Sequence, residues 1–475
     1  MNNWQKHSAA IALASLAICK FWFLAAWGPI SYPDTGGYLD YANRILSNWS
    51  WLTHIDMQTD AVPIMAFRMA GYPVLMAVSR SLFQSSGDLA LILAQMALSL
   101  YVTARFFRMF AQLGFKPWQV WLGTACQATG MPLWLDQCLL TDSFYLSLVT
   151  WALILIVESS FAKSASLGRA ATAGSLLLLA FLLRDASAIL FFYLLPAGFL
   201  AARASGDNPI RSVIFGAMLV LPLIAGIVGY RAWNEVRTGK AFVTTAPHTN
   251  LLLAMIEAQK FDQRIFGADT ALDKAARPNL KVYDFSDALA IADAWHLQTG
   301  IDSYSAAQEA SSRFWTSWRT YPLAMARATL DRYHLNYLVL PFRPFESVDD
   351  ILVEALGAGH IISPPALWQK LRSGNVLASV PLLVALLTQA LAIGISLAFL
   401  AFPLTSRFAN LPAPQLRLLL GLWFFVAAFG ATHMMVHVER RHLAPLMPII
   451  ILIGLIGLNS FFQHQLERRH AHGTR

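Results

Sequence analysis

Ten apolar stretches, each close to the length that crosses a lipid bilayer, dominate this chain: 9–30, 88–105, 117–134, 142–160, 168–184, 186–203, 210–232, 376–402, 416–436 and 442–462. A helix needs about 20 mostly apolar residues to cross ~30 Å of hydrocarbon. Within that hydrocarbon, only segments that satisfy their own backbone polar groups persist. The runs therefore predict an all-α polytopic membrane protein, a bundle of about ten transmembrane helices. Composition supports the choice of solvent: 56% of the 475 residues are hydrophobic and only 13% are charged, against the ~25% charge typical of a soluble domain. The first run follows Lys6 and exceeds the ~7–15 apolar residues of a cleaved leader, so it reads as an uncleaved first helix. Three cysteines, Cys19, Cys126 and Cys138, are too few for a disulfide scaffold or a thiolate metal site.

The charges orient these spans. With the N-terminus inside, the cytoplasmic segments and their helix ends carry thirteen basic residues: Lys6, Arg105, Arg108, Lys116, Lys163, Arg169, Arg203, Arg211, Arg407, Arg417, Arg468, Arg469 and Arg475. Against them stand Asp207 and Glu467, with Glu158 at the margin. The other side holds Asp34, Asp40, Asp56, Asp60, Asp88, Asp136 and Asp142 in its shorter loops, while 233–375 is nearly neutral, with fourteen basic and fifteen acidic residues. This is the positive-inside pattern, so it accounts for the net charge of +8 without nucleic acid. It places both termini in the cytoplasm and the loops 31–87 and 233–375 on the outer face of a plasma membrane. Three parts follow: an N-terminal transmembrane module, 1–232; an outer loop domain, 233–375; and C-terminal helices with a cytoplasmic tail, 376–475. The apolar stretch 70–83 is short for a span and is laid along the outer surface as an interfacial helix. Phe314, Trp318, Tyr321, Met325, Leu330, Tyr333 and Tyr337 keep roughly helical spacing, interrupted at Pro322, which predicts a mostly helical outer domain.

The chain lacks a Gly-rich phosphate loop, a G-x-S-x-G elbow, H-E-x-x-H and C-x-x-C, which removes most of the support for nucleotide, serine or zinc hydrolysis by the standard motifs. What remains are carboxylates and guanidiniums at the outer membrane surface. Asp34 follows the first span; it reads either as the cap of a helix through Tyr38 and Ala42 or as a general base or metal ligand. Asp142 opens the fourth span and reads either as another helix cap or as a functional acid. Arg184-Asp185 joins two spans, either as a pair that neutralises itself or as a functional charge, the default reading for ionisable groups at membrane depth. Arg68 pairs either with lipid headgroups or with a phosphate in a pocket. Near the last span stand His433, His437, Glu439, Arg440, Arg441 and His442. Paired guanidinium donors suit a phosphate, and His433 and His437, one helical turn apart, are either metal ligands or a polar seam between helices. Asn234 through Gly239 reads mainly as a turn.

In order and spacing, these residues resemble the GT-C superfamily of membrane glycosyltransferases, which includes the protein O-mannosyltransferases and the bacterial aminoarabinose transferases. The likeness rests on Asp34, Tyr38 and Ala42 after the first helix; Arg68, Gly71, Tyr72 and Pro73; Asp142; Arg184; and Arg441, Pro445 and Pro448. It covers about the first 240 residues and the last span. Two departures stand out: Asp34 has no acidic neighbour, and Asp185 rather than proline follows Arg184. The resemblance implies inverting transfer of a sugar from a polyprenyl-phosphate donor to a glycan, lipid or protein acceptor on the outer side of the bilayer. It implies catalytic roles for Asp34 and Asp142. Arg68, Tyr72, Arg184, Arg440 and Arg441 would bind donor phosphate or substrate. A divalent metal is left open, with Asp34, His433 and His437 as its candidate ligands. The rival readings are another polyprenyl-linked-sugar enzyme, such as an O-antigen ligase or polymerase, and a lipid or sugar transporter.

Overall fold

The structure is a computed structural model that describes residues 3–32, 34–58, 60–129, 131–332, 376–405, 408, 411–436 and 444–459. All regular elements among them are helices, and the single extended pairing is an isolated parallel bridge between Ile30 and Cys138. The main helices in chain order are α1 Asn3–Trp27, α2 Thr35–Ser47, α3 Gly71–Phe83, α4 Gly87–Gln112, α5 Pro117–Thr129, α6 Asp142–Ser160, α7 Leu167–Leu183, α8 Leu190–Ala204, α9 Pro209–Thr238, α10 Pro247–Gln259, α11 Phe285–Thr299, α12 Ser303–Thr320, α13 Pro322–Arg332, α14 Val376–Ala401, α15 Ala413–Val436 and α16 Ala444–Asn459.

The protein is thus a helical chain with membrane-spanning character. Among the described residues, four helical stretches are long and apolar enough to cross a bilayer: Gly71–Gln112, Asp142–Ser160, Pro209–Thr238 and Ala413–Val436. Several of the ten expected runs fold as shorter pieces. The run 117–134 divides into α5 and a short helix, Met131–Leu135, whose second residue, Pro132, cannot donate a backbone hydrogen bond. The run 186–203 begins as a 3-10 turn, Asp185–Ile189, before α8. The segment expected along the membrane surface, 70–83, is helix α3; one 3-10 turn, Gln84–Ser86, joins it to α4.

One continuous apolar core runs through α1 to α9 and α14 to α16. Helix α6 is buried almost throughout, with α4 on one side and α7 and α8 on the others. Small residues let backbones meet, as membrane bundles require: a side chain at Gly454 in α16 would overlap the Ile395 carbonyl of α14. Helix α9 has defined ends. Asn208 accepts the Arg211 amide at 2.9 Å with Pro209 next, and Gly239 closes the other end at φ 72°, a left-handed conformation that glycine adopts without strain.

Helices α10 to α13 close around a second core containing Leu252, Ile256, Trp295, Phe314 and Met325. The aromatic spacing noted across 314–330 falls on α12 and α13, divided at Tyr321, with Pro322 opening α13. Tyr333 and Tyr337 lie outside the described residues. A smaller cluster of Ile55, Met57, Ala66 and Phe242, with Tyr304 of α12 packed against it, joins this helical domain to the loop 48–70.

Candidate functional site

Four segments far apart in the sequence converge at one end of the bundle. The chain leaving α1 pairs with the chain entering α6: Ile30 donates to the Gln137 carbonyl at 2.8 Å, and Leu139 donates to that of Ile30 at 3.0 Å. Thr35 Oγ1 strengthens the seam, donating to the Leu139 carbonyl at 3.1 Å and accepting the Tyr32 amide at 2.9 Å. This junction brings the loop of Asp34 beside the loop of Asp142.

Each acid then meets an arginine from a third or fourth segment. Arg68 Nη2 donates to Asp34 Oδ1 at 2.6 Å, and both side chains keep about a quarter of their surface exposed, 24% and 23%. The Arg68 guanidinium also lies 5.1 Å from the ring centres of Tyr38 and Phe67, a cation–π setting. Arg184 pairs with Asp142 in a more buried place, 14% and 3% exposed, with its guanidinium 5.7 Å from the Tyr145 ring. The two pairs are linked through aromatic edges: Tyr38 meets Tyr72 at 5.4 Å and Tyr72 meets Phe144 at 6.5 Å.

These partners correct three local readings. Asp34 occupies the N-cap position of α2, yet its side chain makes no cap hydrogen bond. Its own backbone is already helical, at φ −68° and ψ −21°, whereas a capping side chain works from an extended backbone. Thr141, not Asp142, is the N-cap of α6, and it too makes no side-chain cap bond. Arg184 and Asp185 do not neutralise each other: Arg184 turns to Asp142, and Asp185 accepts Thr244 Oγ1 at 2.5 Å.

Gly71 explains how the Arg68 segment reaches α7. A side chain there would overlap the Leu182 carbonyl, so the absence of one lets α3 start directly against the end of α7 that carries Arg184. Tyr72 is fully buried and donates its hydroxyl to Gln95 Oε1 at 2.8 Å; Gln95 Nε2 in turn donates to the Cys138 carbonyl at 3.0 Å. Tyr72 therefore serves here as an internal brace for the Ile30–Cys138 seam. His433 is buried, stacked on Phe429, with Nδ1 2.9 Å from the carbonyl of that residue. His437, Arg440 and Arg441 lie outside the described residues.

Three further features were not expected. Lys20, inside the first apolar run, is buried with Asp136, each about 1% exposed, and the two form an ion pair. Asp136 Oδ1 accepts Ser143 Oγ at 2.6 Å, so this acid, counted above as an outer-loop charge, lies inside the bundle against the first turn of α6. A lysine within an apolar run is itself a signal of such a partner, because burying an unpaired ammonium is very unfavourable. Second, Arg237 is 2% exposed in the segment read as a turn, which is the last turn of α9. It donates to Asn234 Oδ1 at 2.7 Å, Tyr41 Oη at 3.3 Å, the Met65 carbonyl at 3.3 Å and the Trp51 carbonyl at 3.5 Å, with Trp233 3.7 Å away. It thereby clasps the loop that carries Arg68. Burial pushes the Tyr41 hydroxyl toward weaker acidity, and the guanidinium opposes that push. Third, the segment 244–248 closes over this end: besides the Thr244–Asp185 bond, Thr245 donates its amide to Ala66 at 3.0 Å. His248, next along, is held neutral by burial, with its pKa lowered to about 4.

Chemically, the arrangement offers carboxylates to take a proton and guanidiniums to receive an anion. Among the described residues, no group of three or more His, Cys, Asp or Glu side chains is placed to hold a metal ion, and Asp34 faces a guanidinium. The chain matches no family model, no curated protein and no solved structure.

Proposed function

We propose that this chain is an integral-membrane glycosyltransferase of the GT-C kind, moving a sugar from a polyprenyl-phosphate donor to an acceptor on the outer face of a bacterial inner membrane. One observation carries the reading: the pairs Asp34–Arg68 and Asp142–Arg184 come from four separate segments and meet at one end of a helical bundle. A purely structural role would not require two such pairs joined at one seam. In this reading, Arg68 and Arg184 present planar donor pairs to the donor phosphate. The sequence motif adds Arg440 and Arg441 as phosphate ligands. Asp34, the more exposed of the two acids, accepts the proton of the acceptor hydroxyl. The hydroxyl oxygen bonds to the anomeric carbon as the bond from that carbon to phosphate breaks, which inverts the centre. The departing phosphate carries its charge to the arginines and needs no proton. Helices α10 to α13, tied to Ala66 and Asp185 through Thr245 and Thr244, would exclude water that would otherwise hydrolyse the donor.

The test is in two steps. Mass spectrometry of lipids that co-purify with the chain should find a polyprenyl-phosphate sugar, and that lipid then serves as donor in a transfer assay. Asp34→Asn should fold, bind donor and lose about 10²–10⁴-fold in turnover, while Arg441→Ala should raise the donor KM. Transfer by Asp34→Asn at the parent rate would overturn the assignment of Asp34 and make Asp142 the next proton acceptor to test.

A further inference from the structure

At the end of the bundle away from the two acid–arginine pairs lies a second polar site. Asp142 and Arg184 stand at one end of the antiparallel pair α6 and α7; Glu158 and Arg169 stand at the other. Helix α6 has 19 residues, about 28 Å at 1.5 Å per residue, which matches the ~30 Å of a bilayer's hydrocarbon. If one end meets the headgroups of one leaflet, the other meets those of the opposite leaflet.

This second end holds a cleft of about 420 Å³. Arg105 and Arg108 reach it from α4, Arg169 from α7, and Glu158 from α6. Three guanidiniums face one carboxylate. Glu158 is occupied by Arg105, which donates to both its oxygens at 3.0 and 3.1 Å. Arg169 donates to the Glu158 backbone carbonyl at 3.3 Å, and both Arg108 and Arg169 are exposed. The cleft therefore carries a positive surplus. Arg169 sits in the first turn of α7, where the helix dipole is already positive and a cation is disfavoured; a bound anion relieves both charges. Apart from Gln112, the remaining wall is apolar, with Met109, Leu113, Phe161 and Ala162.

We infer that this cleft binds the phosphate headgroup of an anionic glycerophospholipid, with Arg108 and Arg169 on the phosphate and the apolar wall along the start of an acyl chain. Basic pockets between transmembrane helices at the headgroup level recognise such lipids, and a site with both charged and apolar walls suits a lipid better than a free anion. The inference does not depend on the glycosyltransferase reading.

Native mass spectrometry of the full chain, delipidated in a neutral detergent and titrated with phosphatidylglycerol, phosphatidylcholine or inorganic phosphate, tests it. Phosphatidylglycerol should bind in preference to phosphatidylcholine, and Arg108→Gln/Arg169→Gln should weaken that binding at least tenfold, as expected for losing charge-assisted bonds. Glu158→Gln should tighten it, because Arg105 is released toward the phosphate. Equal binding of the two phospholipids, unchanged binding in the double variant, or weaker binding in Glu158→Gln would overturn the inference. So would inorganic phosphate that binds as tightly and displaces the lipid, since that result makes the cleft a site for soluble anions.

Discussion

His248 gives a pH dependence that can be worked through before measurement. It is 2% exposed, its ring lies 6.0 Å from that of Trp295, and neither ring nitrogen has a hydrogen-bond partner among the described residues. Burial lowers its pKa from 6.5 to about 4. Well above pH 6.5 the ring is neutral in both folded and unfolded chains and contributes no pH dependence. Below pH 6.5 the unfolded chain takes up a proton that the folded chain refuses, so stability falls as the pH drops toward 4 and levels off below it. A tenfold difference in proton affinity is worth ~1.4 kcal/mol, which makes the whole effect ~3 kcal/mol, of which about 2 kcal/mol is lost between pH 7.5 and pH 5. Other groups titrate over the same range, so the comparison is with His248→Phe, which keeps an aromatic edge toward Trp295 and breaks no hydrogen bond. Equilibrium unfolding in mixed micelles, followed by tryptophan fluorescence, should show the parent losing about 2 kcal/mol more than His248→Phe over that interval. At pH 7.5 the variant should be no less stable than the parent, because it removes buried polar atoms without partners. Equal pH slopes for the two proteins would refute the reasoning.

Three other outcomes follow from the packing. Lys20→Met, which leaves Asp136 buried without its cation, should cost ~3–5 kcal/mol, and Lys20→Met/Asp136→Leu should recover most of it; the same unfolding titrations read both. Gly71→Ala must displace the Leu182 carbonyl or move α3, so it should lower stability by ~1–3 kcal/mol and widen the distance between spin labels placed on α3 and on α7. Arg237→Met keeps the bulk but abandons the Met65 and Trp51 carbonyls, so limited proteolysis should cut the 48–70 loop faster than in the parent while α14 to α16 stay protected.

The helical class is legible in the sequence because a run of apolar residues permits few other structures in lipid. The candidate acids are legible too, since Asp34 and Asp142 interrupt hydrophobic chain at its margins. Their partners are not. Asp34 and Arg68 are 34 positions apart, and Asp142 and Arg184 are 42 apart, so local patterns suggested caps and a neighbouring Arg184–Asp185 pair in their place. Arg237 is hidden for a related reason: at the end of a long apolar run, a helix's last turn and a surface turn share the same residues, and only packing tells whether the guanidinium points in. The run 117–134 looked like one span because hydropathy averages over Pro132, whereas the backbone there cannot.

The Lys20–Asp136 pair also sets an order of events during synthesis. Its members are 116 positions apart, so at roughly 5–20 residues per second the ribosome needs about 6–23 s to supply the acid after the lysine. Throughout that interval α1 carries an ammonium with no counter-ion of its own. Either the insertion machinery shelters it, or the side chain stretches to the nearer water boundary and withdraws later. Lys20 therefore meets its partner only after the chain beyond residue 136 has arrived. A ribosome stalled before that point should hold a first helix that still crosslinks to the translocation channel, and one stalled after α6 should hold a helix that has left it.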